Sequence, residues 1–411
     1  MDELLDEYAE LVVRVGVNIC KGQRLVINAP LEGADFARRL AGKAYETGAY
    51  DVTVAWHDER FALLRYEKAP EAVFSEFPEW RRLMYMENAE KDAAFISIVA
   101  EDPEIFKAVA PERLAASQQS AGKALKAYRE RIMTNRNAWC VVSVPSPAWA
   151  ARVFPELTEA AAVKKLWEHI LSAVRVTGRA TASAAWQRHI SFLRNAADFL
   201  NGESFRSLHY TNSLGTDLKI YLPEGHIWAG GAEYTLGGTR FVANIPTEEV
   251  YTMPRADGAE GIVYASRPLV YNGNVVDRFY LVFEGGKVTD FGAERGRDIL
   301  KELLETDEGS CRLGEVALVP FDSPISRSRV LFYNTLFDEN AACHLALGKA
   351  YPTCIKDGER LSESELKERG VNDSLLHEDF MIGTADLRID GISSSGRTVP
   401  VFRDGNFAMN L

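Results

Sequence analysis

The chain has 411 residues, 46% of them hydrophobic and 26% charged, a balance that suits a globular protein of two or three domains at about 150 residues each. With 47 basic and 59 acidic side chains the formal charge is −12, which argues against a phosphate-backbone binder, so no nucleic-acid partner is expected. No apolar run approaches the roughly 18 residues of a membrane span, and the acidic start Met1-Asp2-Glu3-Leu4-Leu5-Asp6-Glu7 lacks the basic and apolar regions of a secretory signal. Cys20, Cys140, Cys311, Cys343 and Cys354 are scattered and include no Cys-x-x-Cys pair, so a reducing cytoplasm fits better than a disulfide scaffold.

In chain order, Leu4, Leu5, Tyr8, Leu11, Val12 and Val15 recur at helical spacing behind Asp2, a candidate cap. A short buried strand over 24–28 follows, then a helix over 36–45 and a strand over 51–56. Strands are predicted at 94–100 and 139–144, with a long helical pattern rich in Ala, Lys and Arg between them. Helices over 156–174 and 183–200 close this half, and the alternation predicts a mainly parallel sheet covered on both faces. Near Asn201-Gly202 the pattern changes. Thr216–Leu222 alternates polar and apolar, as a half-exposed strand does, and Asn272-Gly273 between apolar runs predicts a hairpin. Glu284-Gly285-Gly286-Lys287 predicts a second turn, and helices are expected at 296–305 and 339–351. The fold class expected is an α/β N-terminal domain with a mainly parallel sheet (1–203), followed by a β-rich α+β domain (204–411).

Common nucleotide and serine-hydrolase signatures are missing. There is no phosphate loop and no Gly-x-Gly-x-x-Gly opening a helix, and Gly391-Ile392-Ser393-Ser394-Ser395-Gly396 has the wrong spacing for a nucleophile elbow. Gly230-Gly231 and Gly237-Gly238 read as turns before they read as an anion nest. His377-Glu378-Asp379-Phe380-Met381 lacks the second histidine of a zinc-protease helix. It reads as a strand instead, in which His377 and Asp379 share a face and Glu378 points away. Glu315 interrupts the apolar run Leu313–Val319, where a buried carboxylate needs a strong partner. Thr247-Glu248-Glu249-Val250 adds two carboxylates, of which alternation turns one inward. His344 lies in a small-residue stretch taken as helix, which would put Tyr351, seven residues on, on nearly the same face. His57, His169, His189, His209 and His226 read as surface or hydrogen-bonded residues. Spacing alone does not bring these segments together, and it leaves Glu315 open as an ion-pair residue.

Four runs carry a resemblance: Asn244-Ile245-Pro246-Thr247-Glu248-Glu249-Val250-Tyr251-Thr252-Met253-Pro254, Leu313-Gly314-Glu315-Val316-Ala317, Leu336-Phe337-Asp338-Glu339-Asn340-Ala341-Ala342-Cys343-His344, and His377-Glu378-Asp379-Phe380-Met381-Ile382-Gly383. With them the whole chain resembles the thermophilic metallo-aminopeptidases of the aminopeptidase T, aminopeptidase S and aminopeptidase II type, most specifically from about residue 210 onward. The resemblance implies two divalent metal ions per chain (zinc, cobalt or manganese), with Glu249, Glu315, His344, His377 and Asp379 as ligands, Glu339 as a sixth, and Glu315 as the bridge. It implies Tyr351 as the catalytic tyrosine. It further implies metal-activated water that releases N-terminal amino acids from peptides with a free N-terminus, and a homodimer in which residues 1–203 control access. Two other classes are consistent with the residues themselves: a dinuclear hydrolase of phosphoesters, which would want basic clamps beyond Arg312 and Lys349, and a non-catalytic α/β binding protein.

Overall fold

The computed structural model describes every residue except 101, 103, 179–180, 272–273 and 410–411. Two compact units divide the chain: residues 1–188 with 232–246, and residues 189–231 with 247–411.

In the first unit the strands Asp51–His57, Arg24–Pro30, Ala94–Val99, Trp139–Ser143 and Asn244–Ile245 form one all-parallel sheet in that spatial order. Its apolar strands alternate with helices such as Ala34–Thr47, Glu159–Ala173 and Asp2–Leu11, as the pattern predicts. Asp2 is not the cap. It lies inside the first turn, where Arg39 holds Asp2 and Asp6 at 2.6 Å each. The long pattern after Ala94–Val99 resolves into two helices, Pro111–Ala124 and Lys126–Met133.

The division differs from a boundary at residue 203. It falls within the helix Ala182–Glu203, and residues 232–246 return to the first unit. The reason is pairing: Asn244 and Ile245 add an edge to Val141 and Val142, and Val242 N donates to Gly16 O. A two-residue strand has no periodicity to announce it.

The second unit holds two sheets. A nine-stranded sheet runs from Leu269–Tyr271 through Asn274–Glu284, Ala259–Tyr264, Asp217–Tyr221, Ser207–Thr211 and Arg388–Ile392 to Thr398–Arg403 and Asn406–Phe407, with Lys287–Arg295 beside Asn274–Glu284. Tyr271 pairs Asn274 antiparallel, as a hairpin requires, while the turn residues 272–273 lie outside the described residues. Gly285 and Gly286 at φ 57° and 75° close the second predicted turn.

The other sheet is antiparallel, in the order His377–Met381, His344–Gly348, Leu313–Leu318, Val250–Thr252, Ala229–Gly230. Its alternation sorts the side chains. Val316, Leu318, Leu345, Leu347 and Phe380 enter the main core with Phe279, Leu281 and Phe283, each buried aliphatic worth about 1.5–3 kcal/mol. The intervening positions, Glu315, His344, Ala346, His377 and Asp379, therefore share the opposite face.

This arrangement corrects the helix expected over 339–351. Glu339–Ala341 is a single 3₁₀ turn and His344–Gly348 is the second strand of that sheet. Leu and Ala favour helix in isolation, but a strand buried on both faces and bonded on both edges reads as the same continuous small-apolar run, and pairing decides. Gly348 ends the strand at φ +100°, where an added Cβ would lie 2.2 Å from the Leu376 carbonyl oxygen. Gly348→Ala is therefore expected to cost about 2–4 kcal/mol, combining left-handed strain with a backbone clash. Thermal denaturation checks it, and an unchanged melting temperature would contradict this packing.

Candidate metal centre

Register brings the ligand-type residues together. Glu315 pairs with Ala346, and Ala346 pairs with Asp379, so the two carboxylates flank a methyl group across three strands. His344, two residues before Ala346, and His377, two before Asp379, fall on the same face. Glu249 enters from the residue before the Val250–Thr252 strand.

The distances are short. His344 Nε2 lies 3.2 Å from Glu249 Oε2, 3.6 Å from Glu315 Oε1 and 4.0 Å from Asp379 Oδ1. His377 Nε2 lies 3.5 Å from Glu315 Oε2 and 3.6 Å from Asp379 Oδ1. Two trios result, Glu249–Glu315–His344 and Glu315–His377–Asp379, each with ligand atoms within 4.8 Å of one another. Glu315 belongs to both and offers a different oxygen to each imidazole.

Backbone carbonyls orient both rings: His344 Nδ1 sits 3.1 Å from Ala342 O and His377 Nδ1 2.7 Å from Lys349 O. A proton on each Nδ1 donates to that carbonyl, which turns Nε2 toward the carboxylates as a ligand. Asp379 Oδ1 is buried with no hydrogen-bond partner. Carboxylate oxygens and imidazole nitrogens converging in a buried face are a donor set for a divalent cation, and the residues present fit one.

The electrostatics agree. Burial, then the charges of Asp379 and Glu249, push the Glu315 carboxyl up to about 7 against its bond with His344. Burial opposes protonation of the imidazoles. Even so, Glu249 and Glu315 hold His344 well above its ordinary value, and Asp379 and Glu315 raise His377 to about 9. Asp379 is desolvated, yet the two histidines hold it below the usual carboxylate range. The cluster attracts positive charge from whatever source.

Glu339 stands in the fields of Glu249, Asp379, His344 and Glu315 but outside both trios. Asn340, fully buried, explains its position: Nδ2 donates to Leu336 O at 3.0 Å and Glu339 Oε1 at 3.3 Å, while Oδ1 accepts from Glu248 N at 2.7 Å. One amide thus ties the Glu339 turn to the segment bearing Glu249. Sequence reasoning missed Asn340; its only signal was a polar residue between Glu339 and a run of alanines. Glu248 turns away from the cluster, to within 3.6 Å of His189 Nε2.

Tyr351 is brought to the site by a route other than the expected helix. It precedes the 3₁₀ turn Pro352–Cys354, and its ring centroid lies 4.9 Å from that of His377. Desolvation and the surrounding carboxylates, Glu315 first, raise its phenol pKa, so the hydroxyl stays protonated. Of the other histidines, His209 meets Asp217 at 2.6 Å, His226 Nδ1 meets Pro223 O at 2.9 Å, and His169 stacks on Phe154. All five cysteines are free, and no described helix is long and apolar enough to cross a membrane.

Comparison with known proteins extends this picture. The chain is 52% identical to aminopeptidase 2 of Geobacillus stearothermophilus, covering 99% of this chain and 98% of that protein. It is 49% identical to aminopeptidase AmpS of Bacillus subtilis, covering 98% of both. The solved structure of wild-type AmpT from Thermus thermophilus superposes with a TM-score of 0.93 at 39% identity, covering 99% of this chain and 100% of that one. A 2,5-dihydroxypyridine dioxygenase from Pseudomonas putida, at 12% identity and a TM-score of 0.53, shares the fold alone. The profile of the thermophilic metalloprotease family M29 matches residues 1–407, and the chain belongs to that family.

Proposed function

We propose that this protein is a metallo-aminopeptidase releasing N-terminal amino acids from peptides, with two divalent ions held by Glu249, Glu315, His344, His377 and Asp379 and a sixth contribution from Glu339. The observation that carries the reading is the pair of ligand trios sharing Glu315, one oxygen to each. Family membership and the named relatives supply the reaction class. Zinc, cobalt and manganese all suit mixed carboxylate and imidazole ligation.

Bound divalent ions would supply Lewis acidity toward the scissile carbonyl and lower the pKa of a water. The chain's own groups do the rest. The Ala342 and Lys349 carbonyls hold both imidazoles in the ligating tautomer. The Tyr351 hydroxyl, kept protonated beside His377, donates a hydrogen bond to the oxyanion that forms as the peptide carbonyl is attacked. With two divalent ions the carboxylates of Glu249, Glu315, Glu339 and Asp379 would leave the site near neutral, so a substrate's free α-amine would be held by an ion or a neighbouring carboxylate, the basis of exopeptidase action. Phosphoester chemistry lacks comparable support. Lys349 is engaged with Asp373 at 3.4 Å, and Arg312 Nη1 donates to the Ala256 and Gly285 carbonyls.

The test is hydrolysis of a leucine chromogenic amide before and after chelation, with metals restored singly, beside the same peptides free and N-acetylated. Activity should vanish on chelation, return with metal, and be absent on acetylated peptides. Internal cleavage of acetylated peptides at comparable rates would sink the aminopeptidase assignment.

A homodimer, with residues 1–203 controlling access, is the proposed assembly, supported by the resemblance to the aminopeptidase T type. Light scattering should return about twice the 45.7 kDa chain mass. A fully active monomer would contradict it.

A further inference from the structure

A second polar site lies in the same unit as the centre. A cavity of about 540 Å³ in the second unit is lined by Arg267, Arg327 and Arg329, with Ser326, Phe321 and Asp322. Three guanidiniums against one carboxylate is a local excess of positive charge on a chain whose net charge is −12. None of the three arginines makes an ion pair or side-chain hydrogen bond among the described residues. Arg267 is half-buried, and the opposing charge acting on it is Asp338, already occupied by the Phe332 and Asn334 backbone amides. A partly buried guanidinium without a bonded partner is costly unless an anion completes it. Ser326 is 5% exposed, and its Oγ is buried with no hydrogen-bond partner. A hydroxyl and a guanidinium fork together suit the two oxygens of a carboxylate.

The walls of the cavity are hydrogen-bonded to segments next to the metal-type ligands. Arg267 follows Ser266, whose backbone N–H donates to Met381 O at the end of the His377–Asp379 strand. The opposite wall, 321–331, is tied through Ser323 Oγ to Asn340 O, one residue from Glu339.

We propose that this arginine pocket receives the C-terminal carboxylate of a short peptide whose N-terminus lies at the ligand cluster. The pocket deepens the aminopeptidase reading and rests on it: it makes the enzyme selective for short peptides with a free C-terminus. The exposed Arg327 and Arg329 draw the carboxylate in, and Arg267 with Ser326 seats it.

The experiment compares kcat/KM for Leu-Gly-Gly with that for its C-terminal amide. Leucine p-nitroanilide, which carries no carboxylate, reports separately on the aminopeptidase reading. The wild type should prefer the acid by about tenfold to a hundredfold, the worth of a charge-assisted contact. Arg267→Gln, and separately the exposed double variant Arg327→Gln/Arg329→Gln, should bring that ratio toward one with melting temperature and metal content held. Equal rates on acid and amide in the wild type, or a ratio that survives both variants, would overturn the proposal. Succinate titration separates the other source of the same chemistry. If the wild type shows no acid preference yet binds succinate in a manner lost in Arg267→Gln, the pocket serves a free carboxylate and the C-terminal assignment fails.

Discussion

Glu315→Gln should bind metal poorly and lose more than about 10³-fold in kcat/KM, while its metal-free form melts at a higher temperature than metal-free wild type. Opposite signs for function and stability follow from the geometry. Glu315 is 5% exposed, offers one oxygen to each imidazole, and shares the buried face with Glu249 and Asp379. Glutamine keeps the volume and removes a charge that burial first, then Asp379 and Glu249, disfavour against the pull of His344 and His377, so the empty site relaxes. In the proposed dinuclear site the same change would leave one carboxylate-type oxygen where two ions would each need one. Metal content by elemental analysis and melting curves in chelator check both halves. A variant that binds two ions normally would overturn the bridging role proposed for Glu315, and one that melts lower without metal would show that its pairing with the imidazoles outweighs the cost of burying its charge.

Tyr351→Phe is expected to separate chemistry from metal binding. Phenylalanine keeps the ring 4.9 Å from His377 and the edge contact with Tyr251, and removes one hydroxyl. Losing a single donor to a developing oxyanion typically costs about 10²–10³ in kcat, with KM little changed. Metal content should match wild type. Wild-type kcat would mean that the hydroxyl takes no part, and parallel loss of metal and activity would make Tyr351 a ligand.

The legible and illegible parts of this molecule divide along physical lines. The parallel sheet was legible because its strands are apolar runs separated by helices of ordinary period. The His377–Asp379 face was legible because a period of two is local. The segment 339–351 was not. A buried central strand and a small-residue helix share one composition, and only bonding to the neighbouring strands Leu313–Leu318 and His377–Met381 distinguishes them. His344 and Tyr351 still reach one site, by a strand and a 3₁₀ turn in place of one helix face. Convergence of Glu249, Glu315 and Asp379 came from the family resemblance, since nothing in their spacing encodes register. Asn340 stayed hidden because the partner that gives it meaning, Glu248 N, meets it only in the fold, while Leu336 O and Glu339 lie in its own turn.

The short strand Asn244–Ile245 bears on how the chain is made. It supplies the outer neighbour of Trp139–Ser143, more than 100 residues after that strand has left the ribosome. At the roughly 5–20 residues per second of synthesis, several seconds pass with a hydrophobic sheet edge open, a state prone to pairing with other chains. A fragment ending at residue 203 would keep that edge open permanently. The two units are thus interleaved in the order of translation, and neither can be excised with a single cut.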